Sequence, residues 1–214
     1  MLRILIGDDH PMIRKGMRQL LEQHESWQVC AEASTGRQAV ELAGKWRPHI
    51  VVLDLAMPEL NGLEAARQIK KAQPCVEILI FTVHDLQWMA LDALTAGATG
   101  YVLKSAPPSE VVAAVEALAK HQPHFTSNVL QWMLDAYIKA GHRDEKTPFD
   151  ALTGRQREIF QLLAEGRGNK GVCAILGISM KTAESHRVTI HKKLGVNSVA
   201  GLVRQAVRYR VIEA

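Results

Sequence analysis

Along the first 120 residues two patterns alternate. Short apolar runs, LRILIG (2–7), QVCAEA (28–33), IVVLD (50–54), EILIF (77–81) and GYVL (100–103), are rich in Ile, Val and Leu, as strands covered on both faces should be. Between them lie amphipathic stretches of helical length, near 11–24, 36–46, 61–72, 84–97 and 107–120. In 84–97 the apolar residues Leu86, Met89, Ala90, Ala93 and Leu94 recur at three- and four-residue steps, and Gly97 ends the pattern. Strict strand–helix alternation predicts an α/β unit, a parallel sheet with helices on both faces. In such sheets the functional crevice lies at the carboxyl ends of the strands. That edge would gather Asp8 and Asp9 after the first strand, Asp54 at the end of the third, Thr82 after the fourth and Lys104 after the fifth.

The pattern changes after residue 120. HQPHFTSN reads as a turn, VLQWMLDAYIKA as a helix and GHRDEKTPFD as a polar linker, which puts a boundary within 141–150. The remainder carries no strand signal. It reads as four short helices near 154–165, 170–176, 180–194 and 198–208, with Thr153, Asn169, Ser179 and Asn197 as N-caps and Gly166, Gly177 and Gly195 as stops. The expected organisation is an α/β domain over 1–120, a helical linker over 121–150 and an all-α domain over 151–214.

Composition adds a compartment and a partner class. The chain has 214 residues, enough for two domains, and 47% hydrophobic with 22% charged residues is ordinary for a soluble protein. The MLRILIG start is too short for a signal peptide, and no apolar segment reaches membrane-spanning length, so a cytoplasmic protein is expected. Cys30, Cys75 and Cys173 are far apart and set in apolar stretches, which reads as reduced core thiols. Charge is unevenly placed. Residues 1–120 hold 12 Lys+Arg against 14 Asp+Glu, and residues 121–214 hold 14 against 8. A net of −2 followed by a net of +6 points the second part, not the first, at a polyanion.

Three carboxylates crowded on one edge repel one another, and a hard divalent cation relieves that. Mg²⁺ prefers oxygen ligands and commonly bridges carboxylates to a phosphate. An Asp carboxylate is a competent nucleophile toward phosphorus. A lysine such as Lys104 neutralises the transferred group, and a hydroxyl such as that of Thr82 hydrogen-bonds it. Singly, each residue has an ordinary explanation: a turn aspartate, a solvated lysine, a packed Tyr101. Their joint placement on successive strand ends carries the phosphoacceptor reading.

The ensemble GDDH, VVLDLAMPELNG, IFTVHD and GYVLK resembles the receiver domain of bacterial two-component response regulators. The resemblance implies a flavodoxin-like five-stranded sheet of order 2-1-3-4-5. It makes Asp54 the phosphoryl acceptor from a sensor histidine kinase, and Asp8 and Asp9 the Mg²⁺ ligands beside it. The Ala56 backbone carbonyl becomes the remaining protein ligand, Thr82 the switch hydroxyl, Lys104 the phosphate-binding lysine and Tyr101 the switch aromatic. Two positions depart from the common pattern: Val83, bulkier than usual beside the switch Thr, and Ser105 where Pro is frequent. An aspartyl-phosphate hydrolase of the haloacid dehalogenase type is the rival reading. It requires a second Asp two residues beyond the nucleophile, where this chain has Ala56. The expectation is therefore a protein with no activity beyond its own phosphorylation and dephosphorylation.

In the basic part, LTGRQREIFQLLAEG, the NK pair at 169–170, LGIS, KTAESH and KKLGV resemble the helix-turn-helix domain of the LuxR/NarL/FixJ type. The residues support this independently. In 180–194, Ala183, Ile190 and Leu194 can face a small core while Lys181, Glu184, Ser185, Val188 and Lys192 point outward. A basic helix presented by a short turn suits the major groove of double-stranded DNA. Lys170, Lys181, Arg187, Lys192 and Lys193 are candidates for phosphate contacts. Glu184, Ser185 and Val188 are candidates for base contacts, with Thr182 beside them. Gly171, inside a short helix, costs roughly 1 kcal/mol against Ala. The stripe Val199, Leu202, Val203, Ala206 and Val207 fits either core packing or the pairing of two such domains. A C-terminal half that meets protein instead of DNA is the alternative that its charge opposes. The resemblance implies that phosphorylation repositions Thr82 and Tyr101, that the linker is a hinge, and that the protein then binds paired half-sites as a homodimer.

Overall fold

The computed structural model describes residues 1–85, 87–139 and 147–212. Leu86, and residues 140–146 at the expected domain boundary, lie outside the described residues. The chain forms two compact units, one on residues 1–57 and 61–142, the other on residues 58–60 and 143–214.

The first unit is a parallel sheet of β1 (Leu2–Gly7), β2 (Trp27–Ala33), β3 (Ile50–Leu53), β4 (Glu77–Thr82), β5 (Gly100–Leu103) and β6 (His124–Phe125), in the order β2-β1-β3-β4-β5-β6. Its helices are α1 (Pro11–Leu21), α2 (Gly36–Trp46), α3 (Gly62–Ala72), α4 (Gln87–Thr95), α5 (Pro108–Ala119) and α6 (Ser127–Lys139). Successive strand residues face opposite sides. Ile4, Ile6, Ile50, Val52, Leu79 and Phe81 share a core with Met17 and Leu21 of α1 and Val111, Val115 and Leu118 of α5. Leu5, Val51, Leu53, Ile78 and Ile80 are as deeply buried toward the other side. Both faces are covered, which is why the strands read as unbroken apolar runs.

The segment read as turn and linker differs from expectation. His124 and Phe125 pair in parallel with Gly100 and Tyr101 of β5, adding a sixth strand. The helix that follows, α6, packs on α4, where Gln87 Nε2 donates to the Trp132 carbonyl at 3.0 Å. Residues 124–139 are therefore built into the first unit, because β5 would otherwise leave an open edge. Cys75 is exposed rather than a core thiol, since it sits in the turn before β4.

The second unit consists of α7 (Gly154–Ala164), α8 (Asn169–Leu176), α9 (Met180–Leu194) and α10 (Val199–Arg208). A capping box between Thr153 and Gln156 starts α7, and the Ser179 hydroxyl caps α9. Two caps fall one residue from their expected places. Gly168 precedes α8 in place of Asn169, and Ser198, which accepts from the Gly201 amide at 3.1 Å, caps α10 in place of Asn197. Gly177 and Gly195, both left-handed, end α8 and α9 as expected. The core gathers Ile159, Phe160 and Leu162 with Val172, Ile190 and Leu202. The α10 stripe divides: Leu202 and Ala206 are buried in that core, whereas Val199 is 54% exposed.

Two glycines make opposite predictions. A Cβ on Gly62 would lie 2.0 Å from the Asp54 carbonyl oxygen, so Gly62→Ala is expected to destabilise the first unit by about 2 kcal/mol. A Cβ on Gly171 would meet nothing closer than Arg167 Cβ at 3.5 Å. Gly171→Ala is therefore expected to stabilise the second unit by roughly 0.5–1 kcal/mol. Urea denaturation of the two variants checks both signs.

Candidate functional site

The polar residues of the first unit begin where its apolar strands stop. Ladder-like hydrogen bonds fix the main chain at each origin: the Asp8 amide donates to Ala33 O at 3.0 Å, the Asp54 amide to Gly7 O at 2.8 Å and the Lys104 amide to Thr82 O at 2.7 Å. Beyond Asp54 the chain turns through Ala56 and re-enters at α3, where Asn61 accepts from the Glu64 amide as N-cap. The Gly62 amide donates back to Leu55 O at 3.0 Å. The Asn-Gly pair thus folds the loop against the Asp54 main chain.

Lys104 Nζ lies 2.7 Å from Asp54 Oδ2 and 2.7 Å from Asp8 Oδ2, with both carboxylates only 3% exposed. Its hydrogen bond is aligned on Asp54, and its contact with Asp8 is an ion pair without that alignment. Asp54 Oδ1 accepts from the Leu55 amide at 2.7 Å. One ammonium therefore serves two buried carboxylates. Burial pushes the Asp8 carboxyl above its usual range, more than Lys104 lowers it, and the charge of Asp54 adds to the rise. Burial works against the Lys104 charge too, but its pairing with Asp54 and Asp8 outweighs it and holds the proton more firmly than usual.

Asp9 is half-buried, and its Oδ1 lies 2.6 Å from His10 Nδ1, again without hydrogen-bond alignment. Asp8, Asp9, His10 and Asp54 can each turn one ligand atom into a space where all lie within 4.8 Å of one another. Asp8 Oδ2 and Asp9 Oδ1 are buried oxygens lacking an aligned donor. An oxygen-dominated, charge-deficient set of this kind fits a hard divalent cation. Sequence reasoning missed two participants. His10 contacts both acids, and its signal was adjacency to the acid pair. Arg14, whose Nη1 donates to the Asp8 carbonyl at 2.6 Å, gave no signal beyond its place on α1.

Thr82 and Tyr101 are both buried and converge on one residue. Thr82 Oγ1 accepts from the His84 amide at 3.3 Å, and the Tyr101 hydroxyl donates to the His84 carbonyl at 2.8 Å. The β4–α4 loop is thus held at both polar groups of a single residue. Burial first, then the charges of Asp85 and Asp54, keeps the Tyr101 phenol protonated well above its usual range. Val83 points to solvent, 60% exposed.

In the second unit, Ala183, Ile190 and Leu194 are buried. Lys181, Ser185, Val188 and Lys192 follow at i, i+4, i+7 and i+11 and form one exposed stripe of α9, with Thr182 and Glu184 exposed at its sides. Thr182 also serves the cap, with its Oγ1 2.9 Å from Ser179 Oγ. Lys170 is exposed at the start of α8, and Arg187 is half-buried. Lys193 is placed differently from expectation. Its Nζ donates to Ala151 O at 2.7 Å and Gln156 Oε1 at 2.8 Å, tying α9 to the start of α7 instead of facing outward.

The raised Asp8 carboxyl makes a signed prediction. Without divalent cation, Asp8→Asn is expected to be more stable than wild type at neutral pH. A folded-state pKa raised above the unfolded one favours folding as pH falls through it, so the advantage should shrink toward acid pH. Thermal unfolding of both proteins across pH in a chelator measures this.

Comparison with known proteins extends these observations to the whole chain. The family described as response regulator receiver domain matches residues 4–116, and bacterial regulatory proteins of the luxR family match residues 150–206. The transcriptional regulatory protein MctR of Rhizobium johnstonii is 31% identical over 99% of this chain and 95% of its own length. A LuxR-family two-component response regulator from Aurantimonas superposes with a TM-score of 0.60 at 39% identity, over 64% of this chain and 97% of that one. The response regulator RcsB, in a complex with DNA, superposes with a TM-score of 0.59 at 26% identity, over 95% of this chain and 96% of that one. A receiver sheet with a crowded acidic edge, followed by a LuxR-type helical unit, places the chain in the LuxR family of two-component response regulators, which control transcription.

Proposed function

We propose that Asp54 is the residue on which the signal is written. The observation that carries this is the convergence of Asp8, Asp54 and Lys104 at the strand ends, with Lys104 Nζ 2.7 Å from both carboxylates. A carboxylate oxygen of Asp54 attacks the phosphorus of a phosphohistidine on the sensor kinase. A P–O bond forms as the P–N bond breaks, and the electron pair leaves with the imidazole nitrogen, which takes a proton from solvent. Mg²⁺, held by Asp8, Asp9, Asp54 and the Ala56 carbonyl, would supply charge neutralisation for the transferred oxygens. Lys104 releases Asp8 and follows the new phosphoryl group. The Thr82 hydroxyl turns from the His84 amide toward it, which frees one of the two bonds that hold the β4–α4 loop. The protein turns over no separate substrate and works in the cytoplasm. Among the described residues no helix is long and apolar enough to cross a membrane.

The output is DNA binding by α9. Val188, 69% exposed at the centre of a stripe flanked by Lys181 and Lys192, and its neighbours Glu184 and Ser185 meet base edges. Lys170, Lys181, Arg187 and Lys192 meet phosphates. A phosphorylated homodimer on paired half-sites follows the family pattern, with Val199 on α10 exposed for pairing.

The test of the acceptor is intact-mass measurement after incubation with Mg²⁺ and a small phosphodonor. Wild type should gain one phosphoryl group and Asp54→Ala none. Equal modification of both proteins would move the acceptor elsewhere.

A further inference from the structure

The two adjacent acids share one peptide. A peptide unit is planar, so the Asp8 carbonyl and the Asp9 amide turn together, and the direction of that carbonyl sets where both side chains start. Arg14 holds this carbonyl from α1, its Nη1 donating at 2.6 Å. The rest of Asp8 is fixed as well. Its amide donates to Ala33 O at 3.0 Å, and its Oδ1 accepts from the His10 amide at 2.9 Å. Oδ2 is left without an aligned donor, beside Lys104. Asp9 Oδ1 is buried without an aligned donor too, so its placement leans on the peptide that Arg14 holds.

Arg14 is itself held. Its side chain is 17% exposed, and its Nε lies 3.5 Å from Glu32 Oε2. The other oxygen of Glu32 accepts from Arg18 Nε, one turn further along α1. Arg18 Nη1 in turn donates to Glu22 Oε1 at 2.8 Å and to Val29 O at 3.3 Å. The end of β2 therefore fixes Asp8 on two sides. Ala33 takes its amide directly, and Glu32 aims the guanidinium that takes its carbonyl. An Arg–Glu pair at a surface usually contributes little to stability. Here the far end of Arg14 is used on a main-chain carbonyl of the acidic edge. A bare guanidinium there would repel a cation, and the carboxylate of Glu32 offsets that charge.

We propose that Arg14 and Glu32 are positioning residues for the divalent cation: Arg14 orients the Asp8–Asp9 peptide, and Glu32 orients Arg14 and offsets its charge. The proposal rests on the cation-assisted phosphoacceptor reading above and adds two residues that act without touching the cation. Removing partners of this kind commonly lowers metal affinity by about 10- to 100-fold.

The test is direct binding of Mn²⁺ to the full chain, read from the electron paramagnetic resonance of the free ion. Urea denaturation in a chelator measures folding beside it. Asp9→Asn, which removes a ligand, should lose most of the binding. Arg14→Met keeps the apolar stem and removes the guanidinium. Loss of its charge alone would tighten Mn²⁺ binding, whereas loss of positioning should weaken it by about tenfold. Glu32→Gln should weaken binding several-fold in the otherwise wild-type chain and no further in Arg14→Met, because its effect passes through Arg14. A folded Arg14→Met that binds as tightly as wild type, or more tightly, overturns the proposal. If Arg14→Met does not fold, Glu32→Gln decides alone, and an unchanged affinity overturns it. An equal loss from Glu32→Gln with and without Arg14 makes Glu32 an independent charge and overturns its positioning role. No binding by wild type, or binding that Asp9→Asn leaves unchanged, overturns the cation site and the proposal with it.

Discussion

The chemistry of the first unit centres on one ammonium shared between two buried carboxylates. Lys104 sits 2.7 Å from both Asp8 and Asp54, and the three groups together remain one charge short of neutral. Such a cluster is costly in a low-dielectric edge, and a hydrophobic substitute would fold more readily. It is held by its surroundings. Strand-end amides fix Asp8, Asp54 and Lys104, Arg14 pins the Asp8 carbonyl, and Gly62 lets α3 start against the Asp54 main chain. A site kept deficient in positive charge is ready for a cation, and a lysine with two partners can leave one of them for a phosphoryl oxygen.

The same edge is wired to a surface. Thr82 and Tyr101 hold the amide and the carbonyl of His84, so a Thr82 hydroxyl drawn toward a phosphoryl group loosens the loop that Tyr101 also grips. Tyr101 pairs with Phe125 in the sheet register, and Gln87, at the start of α4, holds the Trp132 carbonyl of α6. The strand ends are therefore joined to β6 and α6 by two direct connections. Residues 124–139 of the segment expected to be a hinge are packed on β5 and α4.

The apolar runs were legible because strands buried on both faces carry no polar alternation, and Asp54 stood out against that background. The strand β6 was not legible. Two residues, His124 and Phe125, have no periodicity, and their pairing exists only because β5 offers an edge. The caps at Gly168 and Ser198 were missed by one residue, since Asn and its neighbour compete for the same position and local geometry decides. Lys193 belongs to a different class. Its charge was visible, but its partners Ala151 and Gln156 are some 40 residues away in sequence and meet it only after folding. His10 was visible as a neighbour of the acids, whereas its placement within the ligand set needed the loop geometry.

The central claim is that occupation of Asp54 changes what α9 does. The most direct measurement is the affinity for a duplex selected from a random pool, compared between phosphorylated and unphosphorylated protein from one preparation, with Asp54→Ala treated in parallel. The account predicts tighter binding by the phosphorylated chain and no change in the variant. Equal affinity of the two wild-type forms would contradict it.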